Sequence, residues 1–300
     1  MISDLSMKTL ENRIAQWAAT RSEIRLILVV GSRARKSPPA DEWAELDLHL
    51  FCTYYDHLIS ELGWLQNLGE VWTWLSDELE EDVMQKLVLF EGGHKVDFAF
   101  HPLKAAEKMV TTQQLDEIYL RGFYPLLDKD AWSARLPPAP FTVPRHEKPT
   151  EEQFQRVVHA FWYGAVYVAK QIRQGNLWVA KYRDWTMKTG LLQMMEWHAW
   201  AVHGWEFDTF HDGHFLTHWT DAQTLEALEG VFGRFNPLDS WQALLNTMAL
   251  FRRLTTQTAL VWKFDAAKVL DQQVTAFVHH LYHEVEKNLV SRSNHEPHPT

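Results

Sequence analysis

Residues 26–35 have the sequence LILVVGSRAR, in which five apolar residues lead into a glycine and a serine. An apolar run of this length that ends in glycine predicts a buried strand followed by a tight turn. Two later segments carry an acidic residue between apolar ones: residues 45–48 are ELDL and residues 96–98 are VDF. The three segments predict a mixed α and β domain whose strands carry a polar site.

The first acidic segment predicts a strand with one polar and one apolar face. Side chains alternate across a strand, so Glu45 and Asp47 share one face. Leu46 and Leu48 lie on the other face, which we expect to pack in the core. Two carboxylates are therefore expected on the same side of the sheet.

The second acidic segment lies in a predicted hairpin over residues 86–100. Its turn is Gly92-Gly93, a pair that tolerates the positive φ angles of such turns. Asp97 stands between two apolar residues of the returning strand, and so it lies on the polar face. If this strand neighbours the first acidic strand, three carboxylates converge on one polar surface.

Three carboxylates that lie this close repel one another unless a cation neutralises them. Mg²⁺ prefers oxygen ligands of this kind and keeps positions open for substrate phosphates. Two such ions about 3.5–4 Å apart clamp the attacking and leaving oxygens of an in-line phosphoryl displacement. Glu45, Asp47 and Asp97 are therefore candidate magnesium ligands, and the pattern predicts nucleotidyl transfer.

The turn at Gly31-Ser32 is a candidate phosphate site. Glycine lets the backbone approach a phosphate closely, and successive N–H groups in a turn bind anions. Ser32 adds a hydroxyl donor, and Arg33 or Arg35 is placed to neutralise phosphate charge. We expect Gly31, Ser32 and Arg33 to hold the β- and γ-phosphates of a nucleoside triphosphate.

This ordered set of motifs resembles the DNA polymerase β-type nucleotidyltransferase superfamily. Within it, the chain more closely resembles the aminoglycoside 6-adenylyltransferases, also called streptomycin adenylyltransferases, nearly from end to end. The matching segments are GSRA at 31–34, DEWAELDL at 41–48, KVDF at 95–98, LLDKD at 126–130, and two helical segments at 161–170 and 191–197.

The resemblance implies an enzyme that moves AMP from ATP to a hydroxyl of an aminoglycoside, with Mg²⁺, and releases pyrophosphate. Such activity underlies resistance to streptomycin-like antibiotics. The resemblance also implies roles for the motif residues. Glu45 and Asp47 would hold the catalytic magnesium ions, and Asp97 would ligate a metal and take the proton from the attacking hydroxyl.

Further candidate contacts lie in the C-terminal half. Lys188 is placed to reach the nucleotide phosphates, although a solvated basic face explains it equally well. Trp162 and Tyr163 are predicted to lie off the main apolar stripe of their helix, which makes them candidate substrate contacts. Glu196 belongs to an acidic group that would face a cationic substrate or, alternatively, form an ordinary exposed acidic surface.

Three positions depart from the family pattern. Glu45 stands where the family usually has Asp, Ala160 where it often has an acidic residue, and His214 where it often has lysine. These departures leave two alternatives open. The acceptor is a different small molecule or a protein side chain, or the protein binds nucleotide with little turnover.

The pattern along the chain predicts an α+β protein with two domains. Residues 1–136 form a nucleotidyltransferase domain, with a mixed sheet and flanking helices, and residues 137–149 form a proline-rich linker. Residues 150–290 open with a capping box at Thr150 and continue with helical apolar spacing, which predicts an all-helical bundle. The family resemblance implies that this bundle is the substrate-binding domain. Residues 291–300 are expected to form a tail.

Composition limits the partners. The formal net charge of −10 disfavours nucleic acid and suits a cationic small substrate. The single cysteine, Cys52, cannot form an internal disulfide, and no apolar run approaches the roughly 20 residues needed to span a bilayer. We therefore expect a cytoplasmic protein that binds no membrane and acts as a monomer or weak dimer.

Overall fold

The computed structural model describes residues 5–80, 82–143 and 145–293, with side chains as far as residue 284. The chain divides into two compact units, Met1–Pro144 and Arg145–Thr300. The first unit contains a six-stranded mixed sheet with helices, and the described part of the second is helical, which confirms the α+β fold class. In the part of the chain that the structure describes, no helix is long and apolar enough to cross a membrane.

The first unit alternates strands with short helices. Its strands are β1 (Ile24–Val30), β2 (Leu46–Cys52), β3 (Val71–Glu80), β4 (Val83–Phe90), β5 (His94–Pro102) and β6 (Tyr124–Asp128). Its α-helices are α1 (Met7–Ala19), α2 (Asp56–Ser60), α3 (Leu103–Thr112) and α4 (Glu117–Leu120). Single 3₁₀ turns follow β1 at Gly31–Arg33 and join β4 to β5 at Glu91–Gly93.

The strand order in the sheet is β3-β4-β5-β2-β1-β6. β4 and β5 form the antiparallel hairpin that the glycine pair predicts. β2 and β5 are parallel neighbours, and Asp47 lies directly opposite Asp97 in their register. The convergence of the two acidic strands, which the sequence left conditional, is thereby confirmed.

The register of β2 follows from its apolar face. Leu46, Leu48 and Leu50 are fully buried against α1, and each contributes about 1.5–3 kcal/mol by leaving water. A slip of one residue would turn Asp47 into this core and expose the leucines, so the burial fixes the register. The carboxylates consequently lie on the opposite sheet face, which is covered farther along by α3 and α4.

Two strands of the sheet were not predicted. β3 lies at the sheet edge, and all its residues after Val71 are exposed, so its sequence lacks the apolar alternation that marks a half-buried strand. β6 lies at the other edge and is only five residues long with a proline at its second position. Proline argues against strand pairing except at an edge, which is where β6 is found.

The second unit is built from long helices. They are α5 (Glu151–Arg173), α6 (Leu177–His203), α7 (Leu216–Trp219), α8 (Ala222–Leu228), α9 (Pro237–Trp262) and α10 (Lys268–Ser293). The capping box at Thr150 is present, with Gln153 as its partner. Gly175 follows the end of α5 with a φ of 78°, as expected for a residue just past a helix.

The N-terminus of α8 is capped by Asp221, whose side chain accepts a hydrogen bond from the Thr224 amide. Aspartate is among the preferred N-cap residues because its carboxylate accepts hydrogen bonds from the free amides of the first turn. The predicted tail spans residues 291–300; α10 extends to Ser293, and residues 294–300 lie outside the described residues.

Candidate metal and nucleotide site

Three carboxylates meet at the ends of β2 and β5 that lie nearest the Gly31–Arg33 turn. One carboxylate oxygen from each of Glu45, Asp47 and Asp97 lies within 4.8 Å of the other two. Among the described residues, no other group of three or more His, Cys, Asp or Glu side chains has this closeness. The geometry thus joins the three residues that the sequence predicted as metal ligands.

Asp47 is the most enclosed of the three. Burial, together with the charges of Asp97 and Glu45, raises its pKa to about 6. The backbone amide of Ser32 donates a hydrogen bond to its carboxylate and opposes this rise. In this structure the Ser32 N–H group is thus directed at a carboxylate of the cluster, and its hydroxyl is the other donor that the turn offers.

Gly31 packs directly against the same carboxylate. Its φ is 66°, and a Cβ at this position would lie 2.1 Å from Asp47 Oδ2. No side chain fits there without moving Asp47. Glycine is required by both the backbone conformation and the close approach, and the approach is to a carboxylate of the cluster.

Asp97 has an unpaired oxygen. Its Oδ1 is buried and has no hydrogen-bond partner among the described protein atoms. Burial raises the pKa of Asp97, while the neighbouring ammonium of Lys95 lowers it. A buried carboxylate oxygen without a donor is costly, and coordination of a cation or acceptance of a proton would satisfy it. The three residues thus fit a hard divalent cation such as Mg²⁺.

Lys95 is a site residue to which the sequence assigned no role. Its Nζ donates to Glu45 Oε2 at 2.5 Å and to Asp97 Oδ2 at 3.1 Å. The signal was available, because Lys95 precedes Asp97 by two residues and so shares its strand face. What the sequence could not show is that the side chain reaches Glu45, which directly precedes the neighbouring strand β2.

His49 closes the polar face of β2 beyond Asp47. A hydrogen bond of 2.7 Å joins its Nδ1 to the hydroxyl of Tyr119, and its ring lies against that of His101, with centroids 4.5 Å apart and the planes tilted by 31°. Burial lowers the pKa of His49 to about 3 and that of His101 to about 4. The two rings are therefore neutral near pH 7 and add no positive charge beside the carboxylate cluster.

Arg33, a predicted phosphate contact, is hydrogen-bonded to the protein backbone. Its Nε donates to the carbonyls of Ala44 and Glu45 at 3.2 and 3.1 Å, and its Nη2 donates to Ala44 at 2.8 Å. Its Nη1 lies 4.0 Å from the buried carboxylate of Glu11. The guanidinium thus connects the turn to the residues just before β2 through hydrogen bonds to the backbone.

Replacing Arg33 with methionine is expected to lower the free energy of unfolding of the first unit by about 2 kcal/mol, since hydrogen bonds from a charged donor are lost. Urea denaturation measures the change. The matched control is Arg156→Met, because Arg156 is 75% exposed and pairs only across a helix surface with Glu152; its effect should be below about 0.5 kcal/mol. If the Arg33 variant is as stable as wild type but binds ATP more weakly, the result would indicate that Arg33 contacts the phosphates and does not stabilise the fold.

Lys188 is also hydrogen-bonded within its own unit. Its Nζ donates to Asp184 at 2.7 Å and to Thr247 at 2.8 Å, and its side chain is only 6% exposed. Burial lowers the pKa of the lysine, while the partner Asp184 raises it. The predicted contact with nucleotide phosphates is corrected, since the ammonium joins α6 to α9 inside the bundle.

Trp162 is a core residue and not a surface one. It is 1% exposed and packs edge-on against Phe161 and Phe251, with ring centroids 5.4 and 6.1 Å away. The prediction assumed one apolar stripe on α5, but α5 packs against α6, α9 and α10 and therefore buries a wider face. Tyr163, by contrast, is 75% exposed and remains a candidate contact.

Glu196 is the most perturbed carboxyl of the helical unit. Burial and the charge of Asp212 raise its pKa to about 7, and Gln193 Nε2 donates to its Oε2 at 3.2 Å. Glu196 itself is therefore partly enclosed, whereas its neighbour Asp212 is exposed. A cationic group placed beside Glu196 would restore the charged form.

Replacing Glu196 with glutamine is expected to stabilise the protein by about 1 kcal/mol at pH 8 and to change little at pH 5. The folded pKa of about 7 exceeds the ordinary 4.5, so the stabilisation from proton binding is complete below pH 4.5 and lost as the pH rises through 7. Partial exposure keeps the effect below the full value of the shift. Urea denaturation from pH 5 to 8, with Glu152→Gln as the exposed control, measures it. A difference that does not vary with pH would contradict this assignment.

A mixed sheet that brings three carboxylates together beside a Gly-Ser turn defines the chain as a nucleotidyltransferase. Comparison with known families agrees. The profile of the family described as streptomycin adenylyltransferase matches residues 6–281. The chain belongs to this family.

Known relatives align along most of the chain. An aminoglycoside 6-adenylyltransferase of Campylobacter jejuni is 26% identical over 281 residues, which cover 91% of this chain and 94% of the relative. One of Bacillus subtilis is 23% identical over 284 residues, covering 90% and 95% respectively. The crystal structure of an aminoglycoside 6-adenyltransferase from Bacillus subtilis aligns with 93% of this chain and 99% of its own, at 20% identity and a TM-score of 0.45.

Proposed function

We propose that the protein transfers AMP from ATP to a hydroxyl group of an aminoglycoside of the streptomycin type and releases pyrophosphate. The observation that carries this proposal is the cluster of Glu45, Asp47 and Asp97, with one oxygen of each within 4.8 Å of the others. Family membership over residues 6–281 supports adenylyl transfer as the reaction. The net charge of −10 suits a cationic acceptor.

The cluster is the proposed site of Mg²⁺, held by Glu45, Asp47 and Asp97. The ion would neutralise charge on the phosphates and on the leaving pyrophosphate. Gly31 keeps the turn close to Asp47, and the Ser32 amide orients that carboxylate. The hydroxyl of Ser32, whose contact with the Glu45 carbonyl is a long 3.4 Å, remains the proposed donor to a phosphate.

Asp97 is the proposed general base. The acceptor hydroxyl loses its proton to Asp97 as its oxygen bonds to the α-phosphorus, and the bond from that phosphorus to the bridging oxygen of pyrophosphate breaks. The free Oδ1 of Asp97 and its raised pKa both suit proton acceptance. In the helical unit, Tyr163 and Glu196 are the proposed acceptor contacts. The ring of Tyr163 is exposed, and the carboxyl of Glu196 would be stabilised in its charged form by a cationic group.

The proposal is tested by incubating the protein with radiolabelled ATP, Mg²⁺ and a panel of aminoglycosides that includes streptomycin. We expect label to appear on at least one drug, with an equal amount of pyrophosphate, and only when Mg²⁺ is present. Absence of label on every drug would refute the acceptor class. Mass spectrometry of the same mixtures then distinguishes the remaining alternatives. AMP attached to a protein side chain or to another metabolite would indicate a different acceptor, and no AMP adduct would indicate ATP binding without turnover.

A further inference from the structure

The ammonium of Lys95 lies within the proposed metal site and not beside it. It donates to Glu45 Oε2 at 2.5 Å and to Asp97 Oδ2 at 3.1 Å, and so it bridges β5 to the residue that precedes β2. Both acceptors belong to the three-carboxylate cluster. Two of the three candidate metal ligands therefore already share a cation that the chain itself supplies.

Both cations would draw on the same two carboxylates, since Lys95 contacts Glu45 Oε2 and Asp97 Oδ2 and leaves Asp97 Oδ1 without a hydrogen-bond partner in the described part of the chain. Mg²⁺ takes oxygen ligands at about 2.0–2.1 Å in near-octahedral geometry, so an ion held by these carboxylates would lie only a few ångströms from the ammonium. The two cations also repel each other. The Lys95 side chain is 36% exposed, and lysine has a flexible four-carbon stem, so it has both the solvent access and the freedom to withdraw.

We propose that Lys95 is a built-in counter-cation that competes with a divalent metal ion for Glu45 and Asp97. This regulation of the site rests on the proposed function, in that the metal is the one that the transfer requires. Before the metal binds, Lys95 relieves the repulsion among the three carboxylates. Metal binding displaces the ammonium, so the apparent metal affinity of the wild-type protein is lower than that of the carboxylates alone.

Two opposite effects follow from removing the lysine charge. The carboxylates then repel without a counter-cation, so the protein becomes less stable in a chelator. A divalent ion no longer has to displace an ammonium, so it binds more tightly. A unit charge a few ångströms away at a partly exposed site justifies an expected gain of about tenfold in metal affinity. A lysine that serves only the fold would produce the first effect without the second.

The test measures binding of Mn²⁺ alone, without nucleotide, to the full chain by the electron paramagnetic resonance signal of the free ion. Lys95→Met is compared with wild type and with Lys104→Met. The control removes the same charge from the same unit, where Lys104 pairs at 2.6 Å with Asp82 and is 68% exposed. We expect Lys95→Met to bind Mn²⁺ about tenfold more tightly and Lys104→Met to match wild type.

Thermal unfolding in a chelator and in saturating Mn²⁺ provides the second readout. Lys95→Met should melt below wild type in the chelator, and Mn²⁺ should raise its melting temperature more than that of wild type. Lys95→Gln, which lacks the charge but keeps a donor, is expected to show the same Mn²⁺ shift if the methionine variant does not fold. Lys95→Arg, which keeps the charge, should stay near wild type.

Unchanged or weaker Mn²⁺ binding in both uncharged variants, or no binding in any protein, would overturn the competition. The AMP-transfer assay of the wild-type protein separates this failure from that of the proposed function. Mg²⁺-dependent transfer without tighter Mn²⁺ binding in the variants refutes the role of Lys95 alone. Tighter binding in the variants, with no transfer to any acceptor, supports Lys95 and refutes the proposed reaction.

Discussion

Asp97→Asn is expected to lower the rate of AMP transfer by at least about 10²-fold, the low end of what a positioned general base contributes. The change is nearly isosteric, so the pairing of Asp97 with Asp47 across β2 and β5 should persist. It removes both a metal ligand and the proposed base. Single-turnover AMP transfer measures the rate, and ATP binding is expected to remain because Gly31, Ser32, Glu45 and Asp47 are intact.

The matched control for this variant is Asp77→Asn, which removes an exposed carboxylate from the edge strand β3 of the same unit. We expect it to transfer AMP at the wild-type rate. The stability of Asp97→Asn should equal or slightly exceed that of wild type, because one of three mutually repelling carboxylates is gone. Wild-type turnover in Asp97→Asn would show that the carboxylate cluster is not the catalytic site.

Gly31→Ala is expected to abolish most activity through the position of Asp47. The new Cβ would lie 2.1 Å from Asp47 Oδ2, so the carboxylate has to move by an ångström or more. A misplacement of about 1 Å at a reacting centre can cost on the order of 10²-fold in rate. Because φ is positive at Gly31, any residue with a side chain there should also lower the free energy of unfolding by about 1–2 kcal/mol.

Gly93→Ala separates these two effects. Gly93 also has a positive φ, of 80°, but a Cβ there would meet nothing within 4 Å. We expect it to lose a similar amount of stability in urea denaturation and to keep its AMP-transfer rate. Equal loss of activity in the two variants would mean that backbone strain, and not the displaced carboxylate, causes the defect.

The central part of the sheet was predictable because its signals are local. The apolar run before Gly31, the alternation around Asp47 and the glycine pair of the hairpin each fix one element. The edge strands were not, since the exposed residues of β3 carry no burial pattern and β6 contains Pro125. β3 pairs with β4, which follows it directly, but β6 pairs with β1, which is distant in sequence, and composition alone does not name that neighbour.

The predicted carboxylates lie together as expected, whereas the predicted cationic side chains contact partners that the sequence did not indicate. Arg33 and Lys188 carry charges suited to phosphate, yet both are hydrogen-bonded within their own units. A long basic side chain reaches many partners, so its sequence position says little about which one it finds. Lys95 illustrates the same point, because its contact with Glu45 joins residues 50 positions apart.

The helical unit shows the corresponding limit for aromatic residues. Trp162 and Tyr163 are adjacent in sequence, but one is fully buried and the other is exposed. Their difference depends on how many helices surround α5, which the periodicity of α5 alone does not reveal. The assignment of acceptor contacts is therefore reduced to Tyr163 and Glu196.

The central claim is that Glu45, Asp47 and Asp97 together bind the divalent ion used in nucleotidyl transfer. The most direct measurement is anomalous diffraction at the manganese absorption edge from crystals grown with Mn²⁺ and a non-hydrolysable ATP analogue. We expect an anomalous peak within about 2.5 Å of a carboxylate oxygen of each of the three residues, as oxygen coordination of such an ion requires. No peak at these carboxylates in crystals that contain the bound analogue, or a peak only elsewhere in the protein, would contradict the claim.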